Sequence, residues 1–133
     1  MRHDVSWVRE RFQKARVVRL ATVSGDGSPH LVPIVFAVAG DRLISAVDQK
    51  PKQSAALRRL ANISANPFVS VLADEYDDDW AALWWARADG WAHVEHDYDL
   101  APLIARYPQY QVQPPTGPVI VVEIDHWSGW SAN

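Results

Sequence analysis

The segment with the clearest chemical potential is Lys50-Pro51-Lys52-Gln53-Ser54. It places two cations, a rigid proline and polar donors directly before a stretch that reads as the start of a helix. A helix start offers unpaired N–H groups and partial positive charge. Together these suit a phosphate. Lysine is otherwise scarce, with three lysines against ten arginines in the chain. A compact ammonium is well adapted to phosphate, so the clustering of two of those three favours an anion site over an ordinary basic loop, which is the alternative. Arg58 and Arg59 extend the positive region by one helical turn.

The second candidate is aromatic. Trp80, Trp84, Trp85 and Trp91 fall within a dozen residues, and Trp127 and Trp130 follow near the end. Large rings bury area efficiently, so some belong to the core. Six in two clusters exceed the needs of one small core. The surplus suits a pocket for a planar ligand or a subunit interface.

Other chemistries find less support. The acidic run Asp74 to Asp79 lacks the glycine and terminal glutamate of a calcium loop, so it reads as a solvated turn. Of five histidines only His93 and His96 are close. Three-residue spacing on a strand sends them to opposite faces. No metal site is expected. There is no G-x-S-x-G elbow, P-loop or G-x-G-x-x-G.

The elements that must position these residues follow from periodicity. Val5, Val8, Phe12 and Ala15 recur at helical steps behind His3 or Asp4. Residues 16–23 and 30–38 read as strands joined across Asp26-Gly27, a strong hairpin signal. Pro33 marks an edge, a bulge or a ligand-facing position, because it cannot donate to a ladder. A turn at Ala39-Gly40-Asp41 leads into a third strand, 42–47. Residues 54–62 read as a short helix and 68–73 as a strand. A bent strand runs through Gly90, residues 97–106 read as a helix, 107–118 as a loop, and Val119–Ile124 as the last strand. These counts predict a mainly β protein with short helices. Six antiparallel strands would close into a small barrel with helices plugging its ends.

Length and composition bound the class. The chain has 133 residues and a mass of 15.0 kDa, 48% hydrophobic and 22% charged residues, and a net charge of −3. These values predict one domain, 1–133, and argue against disorder. A pI near 5.9 gives no basic footprint, so no nucleic-acid partner is expected. With no cysteine, disulfides, thiolate metal sites and thiol nucleophiles are excluded. No apolar run approaches the ~20 residues of a membrane span. MRHDVSWVRERF has no apolar signal core, so no membrane association and a cytoplasmic location are expected.

The sequence also resembles a known family. Leu20-Ala21-Thr22, the turn Asp26-Gly27-Ser28-Pro29 and Val32-Pro33-Ile34-Val35-Phe36 look like the opening hairpin of the pyridoxamine phosphate oxidase-like split barrels. The lysine loop, Leu57-Arg58-Arg59-Leu60, Asn66-Pro67-Phe68-Val69-Ser70-Val71 and Gly129-Trp130-Ser131 continue the likeness across nearly the whole chain. Asp48-Gln49-Lys50-Pro51-Lys52 and the stretch from Asp79-Trp80 to Arg87 are similar to an actinobacterial branch of probable oxidoreductases using the deazaflavin coenzyme F420.

The resemblance implies a split β-barrel acting as a homodimer, with two cofactor sites at the subunit interface and a small-molecule substrate. It implies that Asp48, Lys50, Lys52 and Gln53 belong to the cofactor's phosphate loop. It implies that Pro33, Ile34 and Val35 run along the tricyclic ring, and that Trp84, Trp85 and Arg87 reach it from the partner subunit. The family's basic pair aligns with Lys52 and Gln53, so one charge is missing, and Lys50 is placed to restore it. That departure weakens an FMN assignment and leaves FMN the alternative to coenzyme F420. A non-catalytic module binding a cofactor or another planar ligand such as haem is the third reading. A flavin or deazaflavin carries hydride chemistry itself, so no protein nucleophile is required. No catalytic residue is assigned; Tyr76, Tyr107, Tyr110 and His30 remain open as proton donors.

Overall fold

The structure is a computed structural model that describes residues 1–47 and 54–133, with side chains described from residue 57 onward in the second segment. In chain order the elements are α1 (Val5–Lys14), β1 (Val18–Val23), β2 (Pro29–Ile34), β3 (Ala37–Ala39), β4 (Arg42–Ala46), α2 (Ser54–Ala65) and β5 (Phe68–Glu75). A 3-10 turn (Trp80–Ala82), β6 (Trp84–Glu95), α3 (Ala101–Arg106), α4 (Pro108–Val112) and β7 (Val119–Ser131) complete them. The strands form one antiparallel sheet in the order β2-β1-β5-β6-β7-β4-β3. Its two edge strands, β2 and β3, are consecutive in the chain, with only Val35 and Phe36 between them. No helix among the described residues is long and apolar enough to cross a membrane.

The described residues thus contain seven strands where six were expected. The segment expected as one strand over 30–38 breaks into β2 and β3. The cause is Tyr107. Its hydroxyl accepts from the Phe36 amide at 3.0 Å and lies 3.0 Å from the carbonyls of both Phe36 and Arg16, to one of which it donates. The Phe36 amide is therefore taken by a side chain and does not serve a neighbouring strand. The hydrogen-bonded ladder has no rung between β2 and β3 among the described residues, and the chain alone joins them there. Two other limits move. Residues 108–112 are helical rather than loop, and β7 continues seven residues past Ile124.

Local chemistry explains the elements that matched. Asp4 caps α1, its carboxylate accepting from Trp7 N at 3.0 Å. Gly27 holds a φ of +89° in the β1–β2 turn, where a side chain would be strained. Strand alternation sends Leu20, Val71, Ala73, Ala86, Ala88, Ile120 and Val122 inward, where they pack with Val8 and Phe12 of α1. The inward residues next to α1 are small for a reason. A Cβ at Gly129 would come 2.7 Å from the Trp7 ring and from Val8, so α1 sits directly on the β7 backbone. A second cluster gathers Ala37, Ile44, Val119 and Val121 on the sheet's other side beneath Leu103 and Tyr107. α2 docks by Ile63 and by Asn62, whose Nδ2 donates to Thr22 Oγ1 at 3.0 Å.

Candidate functional site

Antiparallel pairing puts residues from four strands in one row: Pro33 opposite Arg19, Arg19 opposite Leu72, and Leu72 opposite Arg87. Their neighbours along the strands, such as Leu20, Val71 and Ala88, are buried in the core. The row therefore lies on the outer face of β2-β1-β5-β6. The next outward row carries Asp74 opposite Trp85 and Trp85 opposite Trp130. Arg19 Nη1 lies 3.5 Å from Asp74 and ties the two rows together.

A cavity of about 390 Å³ opens on this face at the β5–β6 end. It is lined by the apolar Leu72, Leu83, Trp84, Trp85 and Trp130 and by the polar Asp74, Glu75, Tyr76 and Arg87. Its volume lies within the range of small-molecule sites. The Arg87 guanidinium is held twice, 3.1 Å from the Asp89 carboxylate and 5.8 Å above the Trp85 ring. Asp89 in turn accepts from Ser70 Oγ at 2.6 Å. Trp84 is fixed from the opposite side of the sheet. Its Nε1 donates to Glu75 at 2.9 Å, Trp7 meets it edge-on, and the Arg11 guanidinium lies 4.8 Å from its ring. Such aromatic walls and one anchored cation have the chemistry that suits a planar group with a polar edge.

The expected site residues divide three ways. Trp84, Trp85 and Arg87 meet at the cavity. Pro33, Ile34 and Val35 lie at the β2–β3 corner: Pro33 is exposed on the outer face, Ile34 points into the core, and the Val35 carbonyl accepts from Ser45 Oγ at 2.8 Å. That corner is three strand spacings from Arg87, ~14 Å along the sheet. Asp48, Lys50, Lys52 and Gln53 lie outside the described residues. One chain thus does not bring Pro33–Val35 to the tryptophans.

Of the residues left open as proton donors, Tyr107 is buried in the α3 scaffold, while Tyr76 lines the cavity. Trp130 and Leu72 line the cavity without having been singled out as site residues. Their pairing across β5, β6 and β7 reveals them. The other tryptophans have structural or surface places. Trp7 stacks on His3, Trp127 packs edge-on against Phe12 and donates to Asp41, and Trp80 and Trp91 are exposed. The acidic run is solvated, with Asp79 capping the 3-10 turn through Ala81 N at 3.1 Å. His93 lies 3.2 Å from Glu95 and 3.7 Å from Glu123.

Fold and cavity together define a small antiparallel β protein with an aromatic-lined cavity on a sheet face that no helix covers among the described residues. Residues 7–131 match the family model described as pyridoxamine 5'-phosphate oxidase, and the chain belongs to that family. No curated protein matches the chain. Among solved structures, an FAD-binding protein from Mesorhizobium loti is similar with a TM-score of 0.73 at 19% identity, covering 97% of this chain and 95% of that one. HutZ, the heme storage protein from Vibrio cholerae, is similar with a TM-score of 0.71 at 17% identity, covering 96% and 93%. An FAD-binding protein from Mycobacterium smegmatis gives 0.66 at 20% identity, covering 98% and 97%. At such identities the likeness is one of fold.

Proposed function

We propose that the protein is an oxidoreductase that binds a flavin-type cofactor at the interface of a homodimer. The cofactor is coenzyme F420, with FMN the alternative, and hydride passes between it and a small organic substrate. The observation that carries this reading is the aromatic cavity on the uncovered face, separated within one chain from the Pro33–Val35 corner. A second copy laid on that face would bring its own Trp84, Trp85 and Arg87 to the corner. The exposed apolar side chains of the same face, Leu31, Phe68 and Trp91, support such an interface. Two of the similar structures are described as FAD-binding proteins, which supports a flavin-type ligand.

The residues fit such a group. Leu72, Trp85 and Trp130 offer a flat apolar bed, and Arg87 offers N–H groups to a polar ring edge. Lys50, Lys52 and Gln53 would hold the phosphate, and Pro33–Val35 the ring's other edge by backbone groups. The bound cofactor supplies the hydride chemistry. The chain's own residues orient the ring and exclude water, and Arg87, held by Asp89, keeps a fixed positive charge beside it.

The test is a titration of the purified protein with coenzyme F420, FMN and FAD, followed by tryptophan quenching, alongside light scattering. Micromolar or tighter binding of F420 by a dimer is expected. Binding of a flavin alone would sink the F420 assignment, and a monomer at micromolar concentration would remove the shared site. The likeness to a heme storage protein favours a second reading, a non-catalytic module for a planar ligand. Such a module binds its ligand but shows no turnover with reduced cofactor across a panel of electrophiles.

A further inference from the structure

A second cluster lies away from the tryptophan cavity. We propose that His30, Arg58 and Arg59 form an oxyanion subsite that receives a phosphate-type group. For the ligand's identity the proposal rests on the cofactor reading; for the site's existence it does not.

The placement follows from one hydrogen bond. Asn62 of α2 donates to Thr22 Oγ1 at 3.0 Å, in a buried contact. Thr22 stands directly opposite His30 in the β1–β2 ladder. Arg58 and Arg59 precede Asn62 by four and three residues, so they share its side of the helix. The contact that docks α2 therefore brings both guanidinium groups over β2 at His30. Two independent elements, a strand and a helix, converge there with three basic side chains.

Nothing described answers their charge. Among the described residues no carboxylate pairs with His30, Arg58 or Arg59. His30 Nδ1 and Arg59 Nε are shielded from solvent and have no hydrogen-bond partner. Asp26, the acid of the adjacent turn, directs its carboxylate to Ser24 Oγ and to the Ser28 amide. Buried polar nitrogens without partners are rare in folded proteins, because each loses its hydration without compensation. Two arginines side by side add repulsion. Consistently, burial first and then Arg58 and Arg59 hold the His30 pKa below its ordinary value. An acceptor-rich dianion removes both defects at once. A guanidinium fork matches phosphate oxygens in a bidentate manner, and the imidazole adds a third donor.

The position along α2 bears on the ligand. Arg58 and Arg59 are the fifth and sixth residues of α2, about 6–8 Å along its axis from Ser54. Lys50 and Lys52 precede Ser54 in the sequence. A ligand engaging both segments carries two acidic groups, as the diphosphate tail of a dinucleotide flavin or the acidic tail of a deazaflavin does, and FMN does not.

The experiment follows the His30 imidazole of the whole chain by NMR during titration with inorganic pyrophosphate. A saturable shift with a raised His30 pKa is expected. In R58Q/R59Q the affinity should fall at least tenfold, with circular dichroism unchanged. The exposed Arg58→Gln alone keeps the test valid if the double variant misfolds, and should cost several-fold. No saturable shift, or one unchanged in both variants, means an adventitious ion only and overturns the proposal. FMN and FAD are then titrated against wild type and R58Q/R59Q. A tenfold loss for FAD with little for FMN assigns the subsite to the extended tail. Equal loss assigns it to the single phosphate. Pyrophosphate binding without binding of either flavin or F420 leaves the subsite standing and removes the cofactor reading.

Discussion

The sheet has two outer regions, and they are built in opposite ways. Over β3, β4 and the start of β7, the outward side chains Ala37, Ile44, Val119 and Val121 are buried beneath α3. Polar groups there are matched. Tyr107 serves Phe36, and Arg106 closes the end of α1, reaching the carbonyls of Gln13 at 3.0 Å, Phe12 at 3.4 Å and Ala15. Over β2, β1, β5 and β6 no helix among the described residues covers the outer face. Leu31 and Phe68 are 66% and 68% exposed and the aromatic cavity lies open, while on the inward side of β2 His30 Nδ1 and, on α2, Arg59 Nε have no hydrogen-bond partner. Both regions use the same strand alternation. What separates them is whether the chain itself supplies the cover. A face that keeps large apolar side chains without a cover suits a partner surface or a ligand.

The largest expected contrast tests that division by truncation. Leu103→Ala removes a fully buried side chain under α3 and should cost about 2–5 kcal/mol of stability. Phe68→Ala on the bare face should stay within about 0.5 kcal/mol for the isolated chain. Urea denaturation of both variants reads the difference; similar losses would mean that the bare face is core in all but exposure. A finer test is Tyr107→Phe. The ring stays while the Phe36 amide loses its acceptor, so a loss of about 1–3 kcal/mol is expected, with faster exchange of that amide. A neutral result would show that β2 and β3 separate for another reason.

Those two variants also mark how far the sequence could be read. The β1–β2 hairpin was legible because Asp26-Gly27 carries its own turn chemistry, and α1 because its stripe and its cap are local. The break at Phe36 was not, since its cause is a hydroxyl 71 residues away. The tryptophan surplus was visible, but its sorting was not. Trp85 and Trp130 become neighbours only through the β6–β7 register, and Trp7 reaches Trp84 only because α1 rests on Gly129. The cluster of His30 with Arg58 and Arg59 depends likewise on where Asn62 docks. The lysine loop was the strongest local signal, and it lies outside the described residues.

The bare face can be tested next by charge. Phe68→Asp puts a carboxylate where a second copy is proposed to pack, opposite Trp91 in the ladder. The dimer should weaken at least tenfold, about 1.4 kcal/mol, with monomer stability unchanged. Sedimentation over a concentration series measures it. A dimer as tight as wild type would place the interface elsewhere.

The smallest effect concerns the turn beside the basic cluster. Ser24 and Ser28, hydrogen-bonding to the Asp26 carboxylate, lower its pKa from 3.8 to about 2. A carboxyl group depressed on folding stabilises the native state above its unfolded pKa. That contribution fades as pH falls toward the folded value. The wild-type chain should therefore lose a small increment of stability between about pH 4 and pH 2 that Asp26→Asn does not lose. Because Asp26 is exposed, solvent screens the effect. It should appear only as a difference in slope between the two acid titrations, followed by thermal melting. Parallel slopes would show that the serine contacts do not hold the carboxylate in solution. The acid of the adjacent turn would then be free to turn toward His30, Arg58 and Arg59. In that case the contrast between a matched region and an unmatched one would narrow at the place where it is sharpest.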